Sequence, residues 1–173
     1  READQLGVVH TMRAGYNPYS MLIGMEKLEA MSGKSDYGLF SSHPDTASRV
    51  KAVKDQIMND FKVKPVVNEA EKFSQVVDGK WSLPAFYVKY AGYSPRMRAY
   101  LTAGRIYRLT MLPDYSSDKL YINDMENATG IYYDDEREPV VIVTSQDAAA
   151  NGLSGMNAMA QLIIERIRER AGR

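Results

Sequence analysis

The spacing of apolar residues changes along this 173-residue chain near Lys62, and that change bounds the folds open to it. Before it, three groups recur at steps of three and four: Leu6, Val9, Met12; Met21, Leu22, Met25, Leu28, Met31; and Val50, Val53, Ile57, Phe61. Such steps place side chains on one face of a helix. From Trp81 onward the period shortens toward two and the residues become aromatic and β-branched, as half-buried strands require. Helices first and strands afterwards make an α+β chain: an N-terminal helical segment, then a small antiparallel-sheet domain closed by a C-terminal helix.

Punctuation sharpens this. Ala14-Gly15 ends the first helix, Asn17-Pro18 starts the second, Ser32-Gly33 ends it, and His43-Pro44-Asp45 opens a third that runs to about residue 61. Residues 68–78 read as a short helix or linker. Candidate strands are 85–90, 98–102, 105–111, 120–123, 130–133 and 140–144, with a charged turn from Asp134 to Pro139 before the last. Met156, Ala160, Ile163 and Ile167 mark the inner face of a closing helix over about 154–171. The expected division is a helical part over 1–62, a linker or short helix over 63–74, and an appended α+β domain over 75–173.

Charge and composition remove several function classes. With 22 Lys+Arg against 22 Asp+Glu the chain is neutral, so it has no long-range pull on nucleic acid or an acidic membrane. No apolar run reaches the roughly 18 to 20 residues that cross a bilayer. Cys is absent, which excludes a disulfide framework and thiolate metal ligands. The chain opens on Arg1 inside a helical pattern, and reads as a fragment or processed product of a longer protein.

Two segments carry chemistry: Glu2-Ala3-Asp4-Gln5-Leu6-Gly7 with Arg13-Ala14-Gly15-Tyr16-Asn17-Pro18, and Ser41-Ser42-His43-Pro44 with Arg49. In this order and spacing they resemble the zinc metalloendopeptidases of the CAAX prenyl protease and HtpX family, especially its bacterial envelope members. The resemblance covers about the first 60 residues. It implies that these helices close a gluzincin-type metallopeptidase domain. In that family an H-E-x-x-H helix supplies two His ligands and the general-base Glu, and a later E-x-x-A-D helix supplies the third ligand. Here Ala3-Asp4, Ala14-Gly15-Tyr16-Asn17-Pro18 and His43 to Arg49 match the later elements.

Residues four apart on a helix share a face. A ligand Glu four before Asp4 would therefore neighbour Asp4, which could accept the N–H of a zinc-bound His and fix its tautomer. The alternative for Asp4 is an acid favoured at a helix N-terminus by the macrodipole. His43 and Arg49 are candidates for the cleft, where they could stabilise a tetrahedral oxyanion. The alternatives are an N-cap for His43 and, for Arg49, an ion pair with Asp45 four residues earlier. His10 reads as a partly exposed helix residue.

The third ligand falls one position ahead of Arg1, and no His pair at i, i+4 exists, since His10 and His43 are the only His residues. Three protein ligands and an open water position are needed for catalytic zinc. Zinc is therefore expected in the intact parent and none in this stretch, which alone should be inactive without the missing N-terminal catalytic half.

Later in the chain, Tyr93 to Tyr100 and Arg105 to Arg108 interleave basic and aromatic residues, a pattern that can bind RNA. Nearby Asp134, Asp135, Glu136 and Glu138 offset them, and solvated strand faces with cross-strand ion pairs are the simpler reading. The leading functional expectation is the C-terminal part of a zinc metalloendopeptidase that cleaves polypeptide substrates. By the resemblance, it would serve protein quality control in the bacterial envelope, periplasmic or membrane-associated. The alternative is a non-catalytic α+β binding module for a protein or cell-wall partner. An RNA-binding domain stands third, and would show steeply salt-dependent binding.

Overall fold

The computed structural model describes residues 2–32 and 46–172, leaving aside the side chains of Ser32 and Thr46. The chain is α+β and divides into two compact units, 1–64 and 65–173.

The first unit is helical. Helix α1 (Glu2–Arg13) carries Glu2 and Asp4 in its first turn and His10 and Arg13 in its last, the arrangement the helix dipole favours. Gly15, at φ +71°, ends it in the left-handed conformation that glycine tolerates best. Asn17 then shapes the entry to α2 (Ser20–Ser32): its Oδ1 accepts from the Tyr19 N–H at 2.9 Å. Helix α3 (Thr46–Asp55) widens into a π-turn at Gln56–Asp60. Val8, Tyr19, Leu22, Ile23, Met25, Val53 and Ile57 are buried where the three helices meet. Each aliphatic side chain so removed from water contributes about 1.5 to 3 kcal/mol.

The apolar faces differ in detail from the sequence pattern. Asp4 and Val8, one turn apart, form the inner edge of α1, while Leu6 is 52 % exposed. In α2 only the first half is buried, and Leu28 and Met31 are 57 % and 68 % exposed. A stripe is buried only where neighbouring helices reach it, and among the described residues none covers the end of α2.

The second unit holds two antiparallel three-stranded sheets. Strands β1 (Val66–Glu69), β2 (Ser74–Asp78) and β3 (Trp81–Ser82) form the first, with Val66 opposite Val77 and Asp78 opposite Trp81. Helix α4 (Pro95–Thr110) lies on β1 and β2. Strands β4 (Leu120–Asp124), β5 (Thr129–Tyr133) and β6 (Val141–Val143) form the second sheet, whose face is covered by α6 (Met156–Ala171). Short helix α5 (Ser145–Ala150) precedes α6. Buried side chains include Val76, Trp81, Leu83, Phe86, Ile106, Ile131, Val141, Met159, Ile163 and Ile167. On the outer face Tyr121 stacks on Tyr132 at 5.7 Å, and the Tyr132 ring crosses so close to Gly130 that a Cβ there would lie 2.5 Å from it.

Four expected segments differ in the structure. Residues 98–102 and 105–111, expected as strands, are helical within α4 up to Thr110. Ser94 caps α4 by accepting from the Met97 N–H at 3.1 Å, and Pro95 occupies its first turn. Residues 68–78 run through the β1–β2 hairpin and are neither helix nor linker. Residues 85–90 form only isolated bridges, Ser74 with Phe86 and Tyr90 with Tyr93.

Side chains hold the irregular 85–90 segment instead of a ladder. Asn151 accepts from the Ala85 N–H at 3.0 Å and donates to the Ala85 carbonyl at 2.9 Å. Fully buried Asp147 accepts from the Tyr87 N–H at 2.8 Å, the Thr144 hydroxyl at 2.7 Å and the Arg98 guanidinium at 2.6 Å. Arg98 also donates to the carbonyls of Val88 and Ile142, at 2.6 and 2.9 Å, and lies over the Phe86 ring. A buried ion pair is tolerable only when its remaining hydrogen-bonding capacity is satisfied in this way.

Candidate functional site

Asp4 and Arg49, separated by 45 positions, meet in the helical unit. Asp4 stands in the first turn of α1 and Arg49 in the first turn of α3. The Arg49 Nε donates to Asp4 Oδ2 and its Nη2 to Oδ1, both at 2.8 Å. Two parallel charge-assisted bonds of this length fix orientation as well as distance. The Asp4 side chain is 9 % exposed and that of Arg49 30 %, so the pair sits at the rim of the helical core.

The bonds from Arg49 hold the Asp4 carboxyl below its usual range against the opposing effect of burial. The same bonds raise the Arg49 pKa. The guanidinium fork takes one lone pair on each carboxylate oxygen. The arrangement can therefore hold a fixed anion at the start of α1 and aim it. His43 and Asp45 lie outside the described residues, so the pairing observed for Arg49 is with Asp4.

A feature that the sequence did not announce lies beside this pair. The π-turn turns Gln56 back toward α1, where its Nε2 donates to the Gln5 carbonyl at 3.2 Å. Its buried Oε1 has no hydrogen-bond partner among the described residues. No spacing rule announces a π-turn. A polar Gln beside Ile57, at the end of an apolar stripe, is the only available sign.

Among the described residues no group of three or more His, Cys, Asp or Glu side chains could hold a metal ion.

In the second unit the basic and aromatic run proves helical. Arg98 is buried on Asp147, Arg96 lies 3.7 Å from Glu69, and Arg105 lies 3.6 Å from Glu138. The expected cross-strand ion pairs are thus pairs between α4 and other elements. Burial lowers the Arg105 pKa, with Glu138 acting against it. Glu69 also accepts a hydrogen bond from the Tyr100 hydroxyl. Among the described residues no helix is long and apolar enough to cross a membrane.

Comparison with protein-family models matches residues 74–172 to one described as a domain of unknown function (DUF8459). No curated protein and no solved structure matches the chain.

Proposed function

This chain belongs to the family described as a domain of unknown function (DUF8459), and we propose that here the family's domain is appended to the end of a zinc metalloendopeptidase. The observation that carries this reading is the Asp4–Arg49 pair. Two residues singled out by separate motifs make a bidentate contact across helices that the sequence keeps 45 positions apart. In the proposed parent, zinc would activate water for attack on a peptide carbonyl, with its ligands supplied from outside the described residues. The role of Arg49 is to hold Asp4 ionised and rigid, and that of Asp4 is to accept the N–H of a metal-bound His. With Nε and Nη2 committed to Asp4, Arg49 is better placed as a positioning residue than as an oxyanion donor. His43 is retained as a cleft candidate on the resemblance alone. The substrate class, polypeptides of the bacterial envelope, has the same source.

The test is made on the full-length parent. Zinc content and hydrolysis of an unfolded protein substrate are measured for the parent and for Asp4→Asn and Arg49→Lys. The expectation is bound zinc and peptidase activity in the parent. Metal retention should weaken in both variants by about tenfold or more, the usual scale for groups that orient a metal ligand. A parent without an H-E-x-x-H segment, or one whose zinc affinity is indifferent to both substitutions, overturns the reading.

A second reading is favoured by a different observation. The matched residues 74–172 fall within one compact unit, 65–173, with its own core. A self-contained α+β unit suits a binding module for a protein or cell-wall partner. Capture of a defined partner by the chain in the absence of zinc supports it, and strictly zinc-dependent capture counts against it.

A further inference from the structure

The α+β unit contains a cleft of about 510 Å³ where the end of α6 approaches the β2–β3 hairpin and the segment after α4. That volume lies in the range of small-ligand sites. Asp78, Trp81, Thr110, Tyr115, Arg170 and Ala171 line it. We propose that this cleft binds a neutral carboxamide: a peptide group or the side-chain amide of Asn or Gln.

Three observations lead to that chemistry. The first is the Tyr115 hydroxyl, which is buried and has no hydrogen-bond partner among the described residues. The ring stacks on Tyr133 at 5.7 Å, a contact that phenylalanine would make equally well. Buried hydroxyls in native proteins are nearly always satisfied, so an orphan lining a cleft points to a partner from outside. Burial raises the phenol pKa, which keeps the group an O–H donor at neutral pH.

The second observation is the way Arg170 and Asp78 meet. Nε and Nη2 of Arg170 both lie 3.0 Å from the same oxygen, Asp78 Oδ2. Arg170 Nη1 and Asp78 Oδ1 make no hydrogen bond among the described residues, although Arg170 is only 15 % exposed. The cleft thus offers two kinds of donor, Tyr115 O–H and Arg170 Nη1–H, and one acceptor, Asp78 Oδ1. A carboxamide carries the complement in one plane, an oxygen with two lone pairs beside an N–H.

Charge is the third. Arg170 and Asp78 cancel, and the last carbonyls of α6 lie at the negative end of its dipole, so an anion gains little here. A neutral ligand loses nothing. This inference refines the binding-module reading and is independent of whether the parent is a peptidase.

Trp81 is the sole tryptophan of the chain, so its fluorescence reports on this cleft without interference. The whole chain is titrated with N-acetylglycinamide, with an acetylated and amidated Gly-Asn-Gly tripeptide, and with sodium acetate at matched ionic strength. The expected result is a saturable change with the amides and none with acetate. Tighter binding of the tripeptide identifies polypeptide as the source, and tighter binding of the small amide identifies a free metabolite. Tyr115→Phe should weaken binding by about fivefold to tenfold, one hydrogen bond's worth, while its denaturation midpoint stays level or rises. Unchanged binding in Tyr115→Phe assigns the hydroxyl to trapped water and overturns the proposal, as does equal binding of acetate or no saturable signal. Capture of a protein elsewhere on the unit, with these probes silent, would remove the cleft and leave the binding-module reading standing.

Discussion

Replacing Asp147 with Ala tests the view that the α+β unit is organised around one buried ion pair. The Asp147 side chain is fully buried and that of Arg98 is 6 % exposed. Three short bonds converge on the carboxylate: 2.6 Å from Arg98, 2.7 Å from the Thr144 hydroxyl and 2.8 Å from the Tyr87 N–H. Truncation leaves a buried guanidinium uncompensated and orphans a backbone N–H, and losses of this kind cost about 3 to 5 kcal/mol. At about 2 kcal/mol per molar urea, the midpoint falls by about 1.5 to 2.5 M. Trp81 lies in the same unit, so its fluorescence follows the unfolding of that unit alone. Arg98→Ala should cost a similar amount, because it leaves the anion buried instead. The double variant removes both charges and should cost less than the two single losses combined, by about 1 to 3 kcal/mol. A single-variant loss below about 1 kcal/mol, or strict additivity in the double variant, refutes the reasoning.

Two further outcomes are expected. The folded Asp4 pKa lies below its ordinary value, so the stabilisation from the Arg49 pair is complete above about pH 4 and is lost as acid takes the pH down through the folded value. Urea midpoints from circular dichroism, with the transition of the α+β unit followed separately by Trp81 fluorescence, should therefore separate the unsubstituted chain from Asp4→Asn at neutral pH and converge in acid; a constant gap at every pH contradicts this. Gly130→Ala should push the Tyr132 ring off its stack with Tyr121 at a cost of about 1 kcal/mol, small because an outer-face ring can swing away. Unaltered Tyr121 and Tyr132 ring resonances in the variant would show the close approach to be without consequence.

The α+β class was legible because the apolar period changes after Lys62 and because Gly15 and Asn17 stand where turns must be. What misled the reading of α4 was composition. Its Tyr and Arg content imitates a strand, whereas Ser94-Pro95 is a cap followed by a first-turn proline, the stronger local cue. Helix α5 was hidden in the same way. Thr144, expected to finish a strand, caps α5 by accepting from the Asp147 N–H, in a Thr-x-x-Asp arrangement. The β1–β2 hairpin escaped notice because its valines come as adjacent pairs, Val66-Val67 and Val76-Val77, which blur alternation. At the candidate site each partner was visible on its own helix, but their meeting was not, since periodicity carries no information across 45 residues.

The amide of Asn151 has a further consequence. By giving Ala85 both an acceptor and a donor, it does for that residue what a neighbouring strand would otherwise do. An extended stretch left with bare peptide groups is an invitation to sticky cross-molecule pairing. Here a side chain has already filled that position at Ala85. Loss of that one amide would surface first as self-association at high protein concentration.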